Sequence, residues 1–216
     1  MKYELVVFDW DGTLLDSAGA IVNAIQSACR DLDLAIPDDA RARHVIGLGL
    51  SDALRHAVPD LPLDRYQDMI ERYRFHYLSS DHELNLFVGV REMLARLQAA
   101  GHILAVATGK SRPGLDRTLD HSGLRPLFQT SRCADECHSK PHPQMLEELM
   151  AECGIAPEAT IMIGDTSHDL LMASNAGVDS LAVTYGAHPH AHLLECKPLA
   201  CLHTVQELDL WLKNFA

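Results

Sequence analysis

Leu5-Val6-Val7-Phe8-Asp9-Trp10-Asp11-Gly12-Thr13 decides how the rest of the chain is read. Four consecutive apolar residues near the N-terminus read as a strand buried on both faces. Two carboxylates two residues apart leave its end, and a glycine turn follows at once. Burying charge costs free energy unless the charge is paired or binds a metal. Open α/β sheets place their chemistry outside the carboxyl ends of parallel strands. The stretch therefore points to a metal-dependent active site at the end of a central strand.

Further strands are expected at Ile103–Ala107, Leu127–Thr130, Thr160–Ile163 and Ser180–Val183, each a short apolar run. Helical spacing lies between them. Val90, Met93, Leu94 and Leu97 recur at i, i+3, i+4 and i+7, with Gly101 as a stop; Met145, Leu146, Leu149 and Met150 follow Pro143 and lead to Gly154. Leu170, Leu171 and Ala173 precede Gly177, and Val205, Leu208 and Leu212 mark a last helix. This alternation predicts a doubly wound, Rossmann-like parallel α/β sheet. One interval breaks it. From Asp16 to Asn85 the pattern is helical, with stripes Ile21, Ile25, Ala28, Cys29, Leu32 and Tyr66, Met69, Ile70, Tyr73, Tyr77. That is too long for an ordinary crossover. The expected organisation is a core of residues 1–15 and 86–216, with residues 16–85 inserted as an all-helical cap placed to cover the site.

The chain has 216 residues, 47% apolar, with a formal net charge of −12. Such an acidic surface argues against nucleic-acid partners, whose phosphates are held by Lys and Arg. A phosphorylated substrate would have to be attracted locally, by a few cations and a metal. The first residues run straight into a strand without a secretory signal, and no run of about 18 apolar residues predicts a membrane span. A cytoplasmic protein with six reduced cysteines is the expectation. Cys133, Cys137, His138 and His142 form a C-x3-C-H-x3-H pattern that admits a zinc reading. Pro141, Pro143 and Lys140 within it favour an ordinary loop. His188, His190 and His192 are likewise expected in a loop facing solvent.

Four segments fall at or beyond strand ends: Asp9–Thr13, Thr108-Gly109-Lys110, Ser139-Lys140-Pro141, and Gly164-Asp165-Thr166-Ser167-His168-Asp169. A parallel sheet brings them to one side. Together they would gather carboxylates, ammonium groups, a hydroxyl and backbone N–H groups. Clustered carboxylates without a local His or Cys donor suit Mg²⁺, which keeps waters and accepts substrate phosphate. Lys140 beside Asp9 would hold that carboxylate ionised and bind phosphoryl oxygens, and the turn at Gly12 would present N–H groups to them. These are the parts that phosphoryl transfer needs. Each residue also has a plainer reading. Thr108 can be a turn residue, Lys110 a solvated lysine, Asp169 a first-turn helix acid, and Gly47 and Gly49 turn glycines.

In this order and context the four segments resemble the haloacid dehalogenase-like hydrolase superfamily over nearly the whole chain. Gly12-Thr13-Leu14-Leu15-Asp16-Ser17 and Ile46-Gly47-Leu48-Gly49 make the chain similar to its phosphoglycolate phosphatase-like branch with a helical cap. The resemblance implies that Asp9 is the nucleophile and forms an aspartyl-phosphate. It implies that Asp11 is the acid that protonates the leaving oxygen and then the base that activates water. Thr108 and the Gly109 amide would bind phosphate, and Lys140 would be the third-motif cation. Asp165 would ligate Mg²⁺ with Asp9 and the Asp11 carbonyl, and Asp169 would act through a metal-bound water. Gly12, Gly47, Gly49 and Lys110 are carried as substrate-binding candidates.

Asp11 also bears on the type of reaction. A halide leaving group needs no proton, so an acid at this position favours phosphate esters. The expected activity is a Mg²⁺-dependent phosphatase for a small phosphorylated metabolite, phosphoglycolate-like or a sugar phosphate. A phosphosugar mutase of the β-phosphoglucomutase type is the nearer alternative, and a non-catalytic phospho-switch protein a more distant one. Arg43, Arg55 and His56 are cap candidates for selecting the ester by charge and proximity to the glycine loop.

Overall fold

The computed structural model describes residues 2–81 and 84–216. Six parallel strands form one sheet: β1 (Leu5–Phe8), β2 (Ile103–Thr108), β3 (Thr130–Cys133), β4 (Thr160–Gly164), β5 (Asp179–Val183) and β6 (Ala200–Leu202), in the order β3-β2-β1-β4-β5-β6. The pairing sets Phe8 beside Val106 on one side and Ile163 on the other. The chain winds outward from β1 to β3, then returns to place β4 against β1. That reversal opens a crevice outside the ends of β1 and β4. Asp9 and Asp165, the residues that follow those strands, stand at it.

Alternation along the strands builds two core layers. Val6, Phe8, Leu104, Val106, Ile161 and Ile163 face α5 (Val90–Ala99), α6 (Arg112–Ser122) and α10 (Val205–Phe215). Leu5, Val7, Ala105, Ala107 and Met162 face α7 (Gln144–Cys153) and α8 (Ser167–Asn175). With apolar neighbours on both faces, these strands are continuous apolar runs. α9 (His190–Glu195) connects β5 to β6.

Between β1 and α5 the named elements are helical: α1 (Ala18–Asp31), α2 (Asp39–His44), α3 (Leu50–Ala57) and α4 (Tyr66–Ser80). They enclose their own apolar cluster, with Ile25, Ala28, Leu54 and Met69 at its centre. Positions 82–83 of this interval lie outside the described residues. The chain leaves and re-enters the core side by side. Asp16 N–H donates to Asn85 C=O at 2.9 Å, Phe87 N–H donates to Leu14 C=O at 3.0 Å, and Leu15 bridges Leu86 antiparallel.

Two strand readings need correction. Arg125–Leu127 is a 3₁₀ turn, and β3 runs Thr130–Cys133 instead of Leu127–Thr130. It is an edge strand, so it carries polar residues such as Arg132, paired outward to Glu148 and Glu152 at 2.6 and 2.9 Å, in place of an apolar run. β6 was not expected. Three residues at the opposite edge are too few to show a period. Among the described residues no helix is long and apolar enough to cross a membrane.

Candidate active site

Asp9, Lys140, Asp165 and Asp169 form the buried floor of the crevice, each no more than 2% exposed. β1 delivers Asp9, whose N–H donates to Ile163 C=O at 2.9 Å and so continues the sheet one residue past the strand. Lys140 arrives from the loop before α7 and donates from Nζ to Asp9 Oδ1 and to Asp169 Oδ1, both at 2.6 Å. β4 delivers Asp165, which accepts from Thr13 Oγ1 at 2.8 Å and from Ala187 N–H at 2.7 Å. Asp169 sits in the first turn of α8. Its Oδ2 accepts from Thr166 N–H at 3.1 Å and Thr166 Oγ1 at 2.7 Å, while Thr166 caps the helix in return. It therefore serves both as a capping-box acid and as a partner of Lys140.

Asp9 Oδ2 is buried and has no hydrogen-bond partner among the described residues. Oxygens of Asp9, Asp165 and Asp169 lie within 4.8 Å of one another. Three buried carboxylates thus share one ammonium. Burial pushes Asp9 well above the usual carboxylate range; Lys140 opposes this, and Asp169 and Asp165 add to it. Asp165 rises to about 7, through burial and then the charge of Asp169. Lys140 remains charged: burial alone would lower it, but Asp169 and Asp9 outweigh burial. The missing positive charge is what a cation would supply. A donor set of hard oxygens without thiolate or imidazole suits Mg²⁺.

Space here depends on Gly12. It adopts φ +80°, and a Cβ would lie 2.2 Å from Asp165 Oδ2. A side chain is excluded by backbone and by contact alike. In the turn expected to offer N–H groups to phosphate, Gly12 N–H donates to Leu15 C=O at 2.8 Å. Its part at the site is room for the carboxylate.

Asp11 stands apart from this cluster. Its Oδ1 accepts from Ser17 Oγ at 2.6 Å and pairs with Lys110 Nζ at 3.0 Å. Lys110 Nζ also donates to Tyr77 Oη at 2.9 Å and lies over the Tyr77 ring. Lys110 is therefore a buried partner of Asp11 and not a solvated lysine. Thr108 is buried at the end of β2, where its Oγ1 accepts from Lys110 N–H at 3.2 Å, leaving its O–H to donate.

The glycine loop reaches the core. A Cβ on Gly109 would lie 2.5 Å from the carbonyl oxygens of both Gly47 and Leu48, so the backbones are in direct contact. Gly49 N–H donates to Ser139 Oγ at 2.9 Å, and a Cβ on Gly47 would come within 3.2 Å of Thr166 Oγ1. The helical segment is docked on three of the four motif loops.

The model of the haloacid dehalogenase-like hydrolase family matches residues 6–183. The chain belongs to this family. It is 37% identical over 211 residues to a probable phosphatase, IndB, of Dickeya dadantii, covering 94% of this chain and 91% of that protein. It is 32% identical to a phosphoglycolate phosphatase of Colwellia psychrerythraea, covering 98% and 97%. Among solved structures, a predicted phosphoglycolate phosphatase of Haemophilus somnus superposes with a TM-score of 0.86 at 27% identity, covering 100% of this chain and 99% of that one.

Within this haloacid dehalogenase-like frame, several groups hold the motif residues in a way that sequence did not assign to them. Thr13, Thr166 and the Ala187 amide hold the carboxylates, and Tyr77 reaches in from α4. Ser17, quoted above only within the segment that carries the resemblance, donates from Oγ to Asp11. His188, expected in solvent, is 3% exposed. It accepts from Ser167 N–H through Nδ1 at 3.0 Å, which leaves Nε2–H to donate to His44 C=O at 3.1 Å. Burial and the neighbouring His168 push it down to about 4. Cys133, Cys137, His138 and His142 do not assemble as a metal-ligand cluster; among the described residues that description applies to Asp9, Asp165 and Asp169. Burial raises the Cys133 and Cys137 thiols to about 12 and about 11.

Proposed function

We propose that the chain is a Mg²⁺-dependent phosphatase that hydrolyses a small phosphorylated metabolite through an aspartyl-phosphate on Asp9. The observation that carries this reading is Asp9 itself. One carboxylate oxygen is held by Lys140, and the other is buried, unpartnered and flanked by two further carboxylates. A carboxylate held by one oxygen has the other free to attack phosphorus. The relatives named as a probable phosphatase, a phosphoglycolate phosphatase and a 5'-nucleotidase support the same class of reaction.

Asp9, Asp165 and the Asp11 carbonyl would hold Mg²⁺, with Asp169 acting on its water shell. The ion would supply charge neutralisation for the phosphoryl oxygens. Asp9 Oδ2 forms the new P–O bond as the ester P–O bond breaks. Asp11 gives its proton to the departing oxygen. In the second displacement Asp11 takes a proton from water as that water attacks phosphorus and releases Asp9. Lys140 and Thr108 hold phosphoryl oxygens throughout. Lys110 and Ser17 orient Asp11, and residues 16–85 act as a cap that excludes bulk water.

Free-phosphate release from p-nitrophenyl phosphate, with and without Mg²⁺, tests this reading, together with acid-quench trapping of the phosphoenzyme. Mg²⁺-dependent release and label on Asp9 are the expected results. Stable phosphorylation without turnover, or turnover undiminished in Asp9→Asn, would overturn it. Release without an isomerised sugar phosphate separates hydrolysis from mutase chemistry.

A further inference from the structure

Between α1–α4 and the carboxyl end of the sheet lies a cavity of about 680 Å³. That is within the range of sites that enclose drug-sized ligands. Its floor is Asp11, Gly109, Lys110 and Ser139, whereas Asp9, Lys140 and Asp165 do not line it. In the reaction proposed above, Asp9 receives the phosphoryl group and Asp11 attends the leaving oxygen. The cavity therefore opens on the leaving-group side of the reacting phosphorus. Its size is not the gap under a raised lid, because the Gly47–Gly49 loop already touches Gly109, Ser139 and Thr166.

The walls carry apolar side chains, Ile21, Ile25, Val45, Ile46, Ile70 and the ring of Tyr73, with Asp52, Arg74 and Arg117 as charged groups among them. A two-carbon acid such as glycolate would leave most of this chamber to water held against apolar surface, forfeiting burial that a larger group would gain. We infer that the leaving group of the natural ester is ring-sized, with an apolar or aromatic face that packs on Ile21, Ile70 and Tyr73 and polar groups that meet the charged side chains beside them. The substrate class is a phosphate monoester of a ring-bearing alcohol, not the phosphate of a short carboxylic acid. This inference rests on the phosphatase reading.

The test compares esters of matched intrinsic reactivity on the full chain with Mg²⁺: 2-phosphoglycolate, glycerol phosphate and a nucleoside 5'-monophosphate, read as free phosphate. The expected kcat/KM for the nucleoside ester exceeds both others by at least about tenfold. Ile70→Trp, which fills the chamber, should cut that ratio by about tenfold or more. Equal or better turnover of 2-phosphoglycolate overturns the inference and leaves the phosphatase reading intact. An unchanged ratio in folded Ile70→Trp also overturns it. If that variant does not fold, the wild-type ratio decides alone. Release from none of the esters overturns the phosphatase reading, and this inference falls with it.

Discussion

The floor of the crevice and the helical roof of the cavity beside it are built from opposite materials. On the floor, Asp9, Lys140, Asp165 and Asp169 are buried and interlocked by bonds of 2.6–2.8 Å to partners far away in sequence. On the roof, α1 and α4 present aliphatic and aromatic side chains whose packing is non-directional. A charged floor tolerates almost no change, because each side chain neutralises or orients another. An apolar roof tolerates exchange of size and shape while the fold persists. In the proposed reading, chemistry falls to the floor and choice of ester to the roof.

The largest way to break that contrast is Asp9→Asn. It should lower kcat by about 10⁴-fold or more while the melting transition persists, since an amide cannot form the acyl-phosphate. Residual turnover close to wild type, measured by phosphate release, would place the nucleophile elsewhere. Next comes Lys140→Met, which leaves buried carboxylates without their ammonium. A stability loss of about 3–5 kcal/mol in denaturant melts is expected, along with loss of activity. A loss below about 1 kcal/mol would mean that the floor is not electrostatically interlocked.

Gly109→Ala tests the seam between the two regions. Its methyl group meets the Gly47 and Leu48 carbonyls at 2.5 Å. The loop must lift, with a stability cost of about 1–3 kcal/mol. KM for an ester should rise more than kcat falls if the roof governs binding.

The smallest expected effect is a linkage between pH and metal. Burial and Asp169 raise Asp165 to about 7 in the folded protein, against about 3.9 unfolded. Folded protein therefore binds more protons between those values, and metal-free stability falls as pH rises from about 4 to about 7. Mg²⁺ competes with that proton. Adding it should raise Tm by a few degrees more at pH 8 than at pH 5. An equal Mg²⁺ shift at both pH values would detach Asp165 from the metal.

Central elements of the fold were legible in sequence, and peripheral ones were not. β1, β2, β4 and β5 are buried on both faces, so their apolar runs stand out. β3 and β6 form the edges, where polar side chains or shortness erase the pattern. Of the candidate site residues read from sequence, Asp9, Lys140, Asp165 and Asp169 meet at the floor, while Asp11 lies with Ser17 and Lys110. The contacts that hold them were not legible. Thr13 reaches Asp165 across 152 positions, and Tyr77 meets Lys110 across 33. His188 sits in a histidine-rich stretch that reads as solvent-facing, yet it packs against His44 from α2. Arg43, Arg55 and His56 do not line the chamber, where Arg74, Lys110 and Arg117 do.

Sequence alone determined that carboxylates would leave a central strand beside a glycine turn, because apolar period and turn chemistry are local properties. It determined the family through four short segments in a set order. Tertiary structure decided how those segments divide their work. Chain reversal between β1 and β4 put Asp165 and Asp169 beside Asp9 with one ammonium among them, and left Asp11 to Ser17 and Lys110. Docking of the helices then set the volume left over Asp11. Both outcomes depend on distances between residues remote along the chain, which no local pattern encodes.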